Sequence, residues 1–576
     1  MDFLNKILQL MLLFLRINLY AINSSITMSS SPNLEEKGGS LKKELSFFDM
    51  VIIGVVGAVG TGILFSVRSM TSLAGPGSWL SWLMGGIFYL FIGLTYSELV
   101  STYPEAGGPS RFALYTHGWF TNMINSLADL IWYIFIPPIE AFAVVDGLSV
   151  FYPQLTTSSG APTLEGGIIV LLLMLLFIPF NYFGVRAFGK STVGFGIIKL
   201  ILYLAVAFGL LGIYHNFSNF TSYGGFLPFG FAGVFIAIPF AMFAFGGIRV
   251  LPDYAEESKN YKKLPLAIVV VVIGQLLIYL LYDFVFVSGI DWSRLGLENG
   301  NWAQVGSIPG NPFIYLANNY HSYPLLILTI LIGIIGPFIV RYIYLGAGSG
   351  ILFAQSRTQI MPKFMKDISK TFAIPYWALL VMAFVGAILA FVAAPVPTIY
   401  SLIEDAVVAG YLGFSVNPVA FTVSRRQGVT KWKIPGGSII APLAFISAAL
   451  IIFWSGWVTV YYAVILLTGA VLVFDIIIPL LKGTAKRDLK HVGNSIWYIV
   501  YIAFLVVMTY IGSDGALNIF NFYEATLIVV LISLFIFYPW GVLSGLKTRL
   551  EEKDYQTFKL EEEPIVLPLS DYDFIR

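Results

Sequence analysis

GAVGTGILF, residues 57–65, interrupts a run that is otherwise apolar enough to enter a bilayer, SFFDMVIIGVV at 46–56. Glycine at Gly57, Gly60 and Gly62, with Thr61 between the last two, makes a poor helix where a crossing helix is required. Backbone that leaves the helix at membrane depth is tolerated only where it is buried in protein or lines a cavity. The fold therefore turns on whether this weakness is an isolated accommodation or half of a pattern.

The surrounding composition is that of an integral membrane protein. Hydrophobic residues make up 57% of the 576 and charged residues 11%, against about 25% charged in soluble chains. Mean hydropathy is +0.82. Net charge is +1, which speaks against a nucleic-acid partner. Cysteine is absent and the four histidines, His117, His215, His321 and His491, are scattered. Thiolate chemistry is thereby excluded, and neither a metal site nor a cofactor is expected.

A stretch of about 20 apolar residues spans the hydrocarbon core. That length predicts helices near 48–68, 77–100, 119–151, 165–184, 191–214, 230–257, 263–289, 323–356, 375–394, 397–423, 438–455, 457–480, 496–512 and 524–545, about fourteen in all. No run alternates as a barrel strand would. Basic residues fall in every second loop: Lys42 and Lys43, Arg111, Arg186 and Lys190, Lys259 with Lys262 and Lys263, then Lys363, Lys366 and Lys370. The alternation continues with Arg425, Arg426, Lys431 and Lys433, and with Lys482, Lys486, Arg487 and Lys490. The opposite loops hold Arg68 and Arg294. This bias places both termini in the cytoplasm. The sequons at Asn216 and Asn219 sit in an outside loop, in agreement.

Residues 1–27 fit less well, since LQLMLLFL is too short to span. Met28 opens a polar leader, MSSSPNLEEKGGSLKKEL, suited to a cytoplasmic arm. The expected organisation is a leader at 1–40, a first repeat with helices six and seven at 41–290, the rest of the core with helices eleven and twelve at 291–480, two additional helices at 481–546 and a charged tail at 547–576. Deletion of residues 1–27 is expected to leave a folded, active protein. Uptake lost at unchanged expression would show that the leader is needed.

The pattern has its second half in PFAMFAFGGIRVLPDY, residues 239–254, five spans after the first. There Gly246 and Gly247 are adjacent and Pro252 follows. Interrupted helices at matching positions of two halves point to an inverted-repeat transporter whose site lies between the breaks. Glycines that merely permit close helix packing are the plainer explanation for either helix alone. The pairing of the two breaks is what favours a transporter.

These residues carry a family resemblance. GAVGTGILF resembles the glycine-rich first helix of the amino acid–polyamine–organocation superfamily, the amino acid permeases. YPEAGGPSRFALYTHG (103–118) resembles that family's re-entrant cytoplasmic segment, and FAFGGIRVLPDYAEESKNYKKLP (243–265) its sixth helix with the acidic, lysine-rich exit. SGILFAQSRTQIMPKF (349–364) and KIPGG (433–437) resemble later cytoplasmic loops. The likeness covers about 41–480. It implies an all-α, leucine-transporter-like 5+5 inverted repeat with helices one and six broken. It also implies a secondary active amino acid transporter of the cell membrane rather than an enzyme.

The local chemistry agrees. A half-helix starting at Gly60–Thr61–Gly62 would present N–H groups and roughly +0.5 charge to a carboxylate. Freed carbonyls around Val55, Val56, Phe243 and Ala244 would receive an α-ammonium group, with Gly246 and Gly247 forming the second break. Phe243 is expected over the substrate as an apolar gate. Arg249 departs from the family's pattern by placing a guanidinium near the membrane centre. It either pairs with Glu98, Asp129, Glu140, Asp146 or Asp253, or grips an acidic side chain of the substrate, and the ion pair is the favoured reading. Acidic amino acids and polyamines stay open as substrates.

Lys199, in GFGIIKLILYLAVAF of the fifth helix, lies about nine residues, roughly 13 Å, from the cytoplasmic end. It either snorkels to the interface or, as the resemblance implies, occupies the place of a sodium ion between helices one and eight. The second reading implies proton coupling at Lys199. A channel would need a continuous polar pore and a membrane enzyme a nucleophile with its base; neither is visible. An exchanger, or a sensor that binds an amino acid without moving it, would share the same site.

Overall fold

The computed structural model describes residues 41–158, 160–358, 360–369, 371–394, 407–430, 432–477, 492–513 and 515–548. The leader, the tail and the chain from 478 to 491 lie outside the described residues. Secondary structure is helical throughout the described residues apart from two isolated bridges, Leu45 with Ser258 and Thr156 with Pro162.

The first span is two helices, α1 (Phe47–Val56) and α2 (Thr61–Ala74). The start of α1 is local chemistry: Ser46 Oγ accepts from the Asp49 N–H at 3.2 Å while Asp49 Oδ2 accepts from the Ser46 N–H at 2.8 Å, a reciprocal cap. It stops at Val56 where the glycines begin. Then follow α3 (Ser78–Thr102), the short α4 (Leu114–His117), α5 (Trp119–Ser149), α6 (Leu164–Tyr182) and α7 (Val185–Ile213). The sixth span is again two helices, α8 (Gly230–Ala244) and α9 (Gly247–Asp253). Beyond it lie α10 (Leu264–Ser288), the short α11 (Pro312–Asn319), α12 (Tyr323–Arg357), α13 (Tyr376–Ala393), α14 (Ala409–Gln427), α15 (Gly437–Trp454), α16 (Trp457–Val471), α17 (Ile496–Ile511), α18 (Phe522–Ile532) and α19 (Tyr538–Lys547).

Helix occupies each of the fourteen expected segments in whole or in part. Twelve helical stretches among the described residues are long and apolar enough to cross a membrane. The difference has two sources. α2 runs through a tight turn into α3 as one stretch, Thr61–Thr102, and α14 is absent from the twelve.

α5 is the central column. Of its most apolar stretch 89% is buried, against 17% for Trp457–Phe474 at the periphery. It packs on α12 and α14, while α3 packs on α10, α8 and α15. Peripheral helices turn apolar stripes outward, as α7 does with Ile198, Ile201 and Phe208, the arrangement lipid requires. The last two helical segments, to which no task could be assigned from sequence, buttress the core. Tyr498 donates to the Leu412 carbonyl at 2.9 Å, and His117 lies 3.0 Å from the Gly541 carbonyl. Two partly buried ion pairs tie helix ends together, Arg425 to Glu98 at 2.5 Å and Arg357 to Glu256 at 2.8 Å.

Candidate functional site

The two breaks lie side by side because small residues let the four half-helices approach. A Cβ on Gly62 would sit 2.5 Å from the Ala244 Cα, so α2 and α8 are in backbone contact there. A Cβ on Gly247 would meet the Gly54 carbonyl at 2.4 Å, so α1 and α9 touch likewise. Close packing and helix interruption, weighed against each other on sequence, coexist. Gly57 and Gly60 lie in the break, while Gly62 and Gly247 make the contacts.

Between the breaks is a cleft with about 210 Å³ of empty space. Gly57, Ala58, Gly62, Phe243, Ala244 and Gly246 line it, whereas Val55, Val56, Gly60, Thr61, Gly247 and Arg249 are not among its lining residues. Ile136 and Glu140 of α5 and Val340 and Tyr344 of α12 line it as well.

The first break spans Gly57 to Gly60, so Thr61 and Gly62 open α2 and carry its exposed N–H groups. Glu140 already sits at this end. Its carboxylate accepts from Thr61 Oγ1 at 2.6 Å and from the Thr61 N–H at 3.3 Å. In the second break only Phe245 and Gly246 separate α8 from α9. The carbonyls expected to receive an ammonium group already hold donors. Val55 accepts from the Val59 N–H at 3.2 Å and the Ala58 N–H at 3.3 Å, Phe243 from the Gly246 N–H at 3.3 Å and Ala244 from the Tyr279 hydroxyl at 2.6 Å. A carbonyl has two lone pairs, so Val55 is filled, whereas Ala244 keeps one.

Val56 ends α1, and with no helical donor above it its carbonyl accepts from Lys199 Nζ at 2.8 Å. The same ammonium reaches the Gly336 carbonyl of α12 at 3.1 Å. Lys199 is fully buried on the inner side of α7, opposite that helix's lipid stripe. Snorkelling to the interface is therefore not what this side chain does. It ties the first broken helix to α12.

Arg249 resolves to the ion pair. Its guanidinium lies 3.1 Å from Asp129 Oδ1, donates to the Gly410 carbonyl and stacks on Phe414 at 4.0 Å and Trp132 at 4.8 Å. The other acids are taken elsewhere: Glu98 by Arg425, Glu140 by Thr61, Asp146 by the Asn311 N–H at 3.1 Å and Asp253 by the Tyr133 hydroxyl. Removing one partner of a buried pair costs about 3–5 kcal/mol. Arg249→Ala is therefore expected to lower the thermal unfolding temperature of the purified protein and to reduce uptake of all substrates alike. A loss confined to acidic substrates would mean that Arg249 reads the ligand instead.

The amino acid permease family profile matches residues 45–461. The chain belongs to the amino acid permease family. Among its curated relatives, the aspartate-proton symporter of Bacillus subtilis is 31% identical over 521 residues, covering 88% of this chain and 98% of the relative. The glutamate/serine transporter AimA of the same organism is 28% identical over 529 residues, with 88% and 95% covered. The branched-chain amino acid permease BcaP, also from Bacillus subtilis, is 25% identical over 457 residues, with 76% and 93% covered. This permease is thus a multi-pass membrane transporter with the superfamily's leucine-transporter-like helical fold, and not an enzyme.

Three side chains in this permease's site escaped the sequence reading. Glu140 was noticed only as a candidate partner for Arg249, although its place after Pro137 and Pro138 in a crossing helix marks an unusual segment. Trp132 and Tyr344 carried no signal among 92 aromatic residues (Phe 48, Tyr 32, Trp 12).

Proposed function

We propose that this permease is a proton-coupled amino acid symporter that works by uptake across the cell membrane, with both termini in the cytoplasm. The observation that carries the reading is Lys199, a buried ammonium bonded to the carbonyls of Val56 and Gly336. A fixed cation there supplies the charge a sodium ion would bring, and a proton is the species an amine can gain and lose. The name of the aspartate-proton symporter relative supports the same coupling ion.

In this reading the substrate carboxylate lies at the start of α2, at the Gly62 N–H beside Gly60 and at the Thr61 N–H once Glu140 releases it. The α-ammonium group is received by the carbonyls around Val55, Val56, Phe243 and Ala244. Phe243, half-buried with its ring 6.0 Å from Trp132, closes the cleft. Gly246 and Gly247 keep the second break tight, and Arg249 holds α9 to α5 and α14. The basic bias of alternate loops supports the orientation. Transport belongs to the core at 41–480, with the helices at 481–546 as a scaffold.

Purified protein in liposomes, given a panel of radiolabelled amino acids, tests this directly. Accumulation driven by an inward proton gradient and indifferent to sodium is expected. Sodium dependence would overturn the coupling. Binding without uptake would make the protein a sensor, and movement only against internal amino acid an exchanger.

A further inference from the structure

Arg341 stands on α12 directly after Val340, which lines the cleft. It is 1% exposed, and none of its three guanidinium nitrogens has a hydrogen-bond partner among the described residues. The aromatic rings of Phe177 and Phe338 flank it at 4.4 and 5.5 Å. Ring faces offset part of the desolvation of a cation, but five N–H donors withdrawn from water call for acceptors.

The other two buried arginines among the described residues have them: Arg249 has Asp129 at 3.1 Å and Arg111 has Glu105 at 2.8 Å. The acid that interacts electrostatically with Arg341 is Glu140, whose oxygens are engaged by Thr61 at 2.6 and 3.3 Å. Glu140 also faces Lys199, which is held by two carbonyls. The cluster behind the cleft thus sets two cations against one carboxylate, next to the positive end of α2. It is one anion short.

We propose that Arg341 receives the side-chain carboxylate of an acidic amino acid, the second carboxylate of a substrate whose first lies at Thr61 and Gly62. A neutral zwitterion brings no net charge and leaves the cluster at +1. Aspartate or glutamate brings the missing unit, and the planar guanidinium fork matches a carboxylate. This assignment deepens the transport reading above and rests on it. It also gives the task once considered for Arg249 to an arginine whose neighbouring acid, Glu140, is hydrogen-bonded to Thr61. Two relatives, an aspartate-proton symporter and a glutamate/serine transporter, are named for that class.

The test compares uptake of L-aspartate with its neutral isostere L-asparagine in liposomes holding wild-type, Arg341→Gln and Arg341→Lys protein. Wild-type protein is expected to prefer aspartate. Arg341→Gln is expected to lower kcat/KM for aspartate about a hundredfold and that for asparagine less than threefold. Arg341→Lys, which keeps the charge and loses the fork, should fall between. Should Arg341→Gln fail to fold, the lysine variant carries the comparison, with a loss for aspartate at least tenfold larger than for asparagine. Equal losses for the two substrates would overturn the assignment and leave Arg341 as a partner for Glu140 alone. Wild-type protein that carries neutral amino acids and ignores aspartate and glutamate would overturn it while transport stands. Wild-type protein that takes up no amino acid would overturn both.

Discussion

Lys199→Gln is expected to abolish pH-gradient-driven uptake, by at least about a hundredfold, in a protein that remains folded. The ammonium makes two charge-assisted hydrogen bonds, to the Val56 carbonyl at 2.8 Å and the Gly336 carbonyl at 3.1 Å. Such bonds contribute about 1.5–3 kcal/mol each. Losing two at the lower figure is about 3 kcal/mol, or roughly two orders of magnitude in the equilibrium they support. Glutamine is shorter and neutral. Its amide N–H groups can form only neutral hydrogen bonds and cannot hold the first broken helix against α12 with a charge. Nor does it titrate, so the step that ties transport to the proton is removed along with the bridge. Size-exclusion profile and thermal unfolding check that the variant is intact. Full pH-driven uptake by Lys199→Gln would rule out this residue as the coupling site.

Replacing Gly62 with leucine should remove amino acid binding altogether, and alanine alone should weaken it severely. The obstacle is backbone: a Cβ at Gly62 would lie 2.5 Å from the Ala244 Cα and 2.7 Å from its Cβ. No flexible side chain is there to yield, so α2 and α8 would have to separate. Every donor and acceptor between the breaks would move with them. Gly60 differs. A Cβ there would meet Val340 Cγ2 at 2.7 Å and Glu140 Oε2 at 2.8 Å, both ends of side chains. Gly60→Ala should therefore be milder and act by pushing Glu140 off Thr61, whereas Gly60→Leu should block the cleft. Isothermal titration with the amino acid found in the uptake panel checks the order. Wild-type affinity in Gly62→Ala would mean that the carboxylate does not bind at this half-helix end.

Lys199 and Arg249 show how far each source of information reaches. Both were conspicuous as charges inside apolar helices, because such charges are costly enough to need a reason. For Lys199 the family resemblance supplied the partners, and the geometry agrees. For Arg249 five acids were available along the chain, and only the packing of α9 against α5 selects Asp129. Glu140 was one of those five. Its actual partner, Thr61, is 79 residues away, and nothing in either neighbourhood announces the meeting.

From sequence alone came the membrane, the spans, the two breaks and the family. Each of these rests on a rule that acts locally along the chain: hydrocarbon demands runs of apolar residues, and glycine weakens a helix wherever it stands. What only the tertiary structure decided is which way each helix faces. Residues apolar nearly all round, as in α6 and α8, leave no stripe from which a rotation could be read. Rotation determines that Glu140 caps α2, that Arg249 meets Asp129, and that Arg341 stacks on the rings of Phe177 and Phe338. It also divides the glycines between the break at Gly57 and Gly60 and the crossings at Gly62 and Gly247. Contacts between helices far apart in sequence have no local signature, so a chain this uniformly apolar reveals its site only once it is packed.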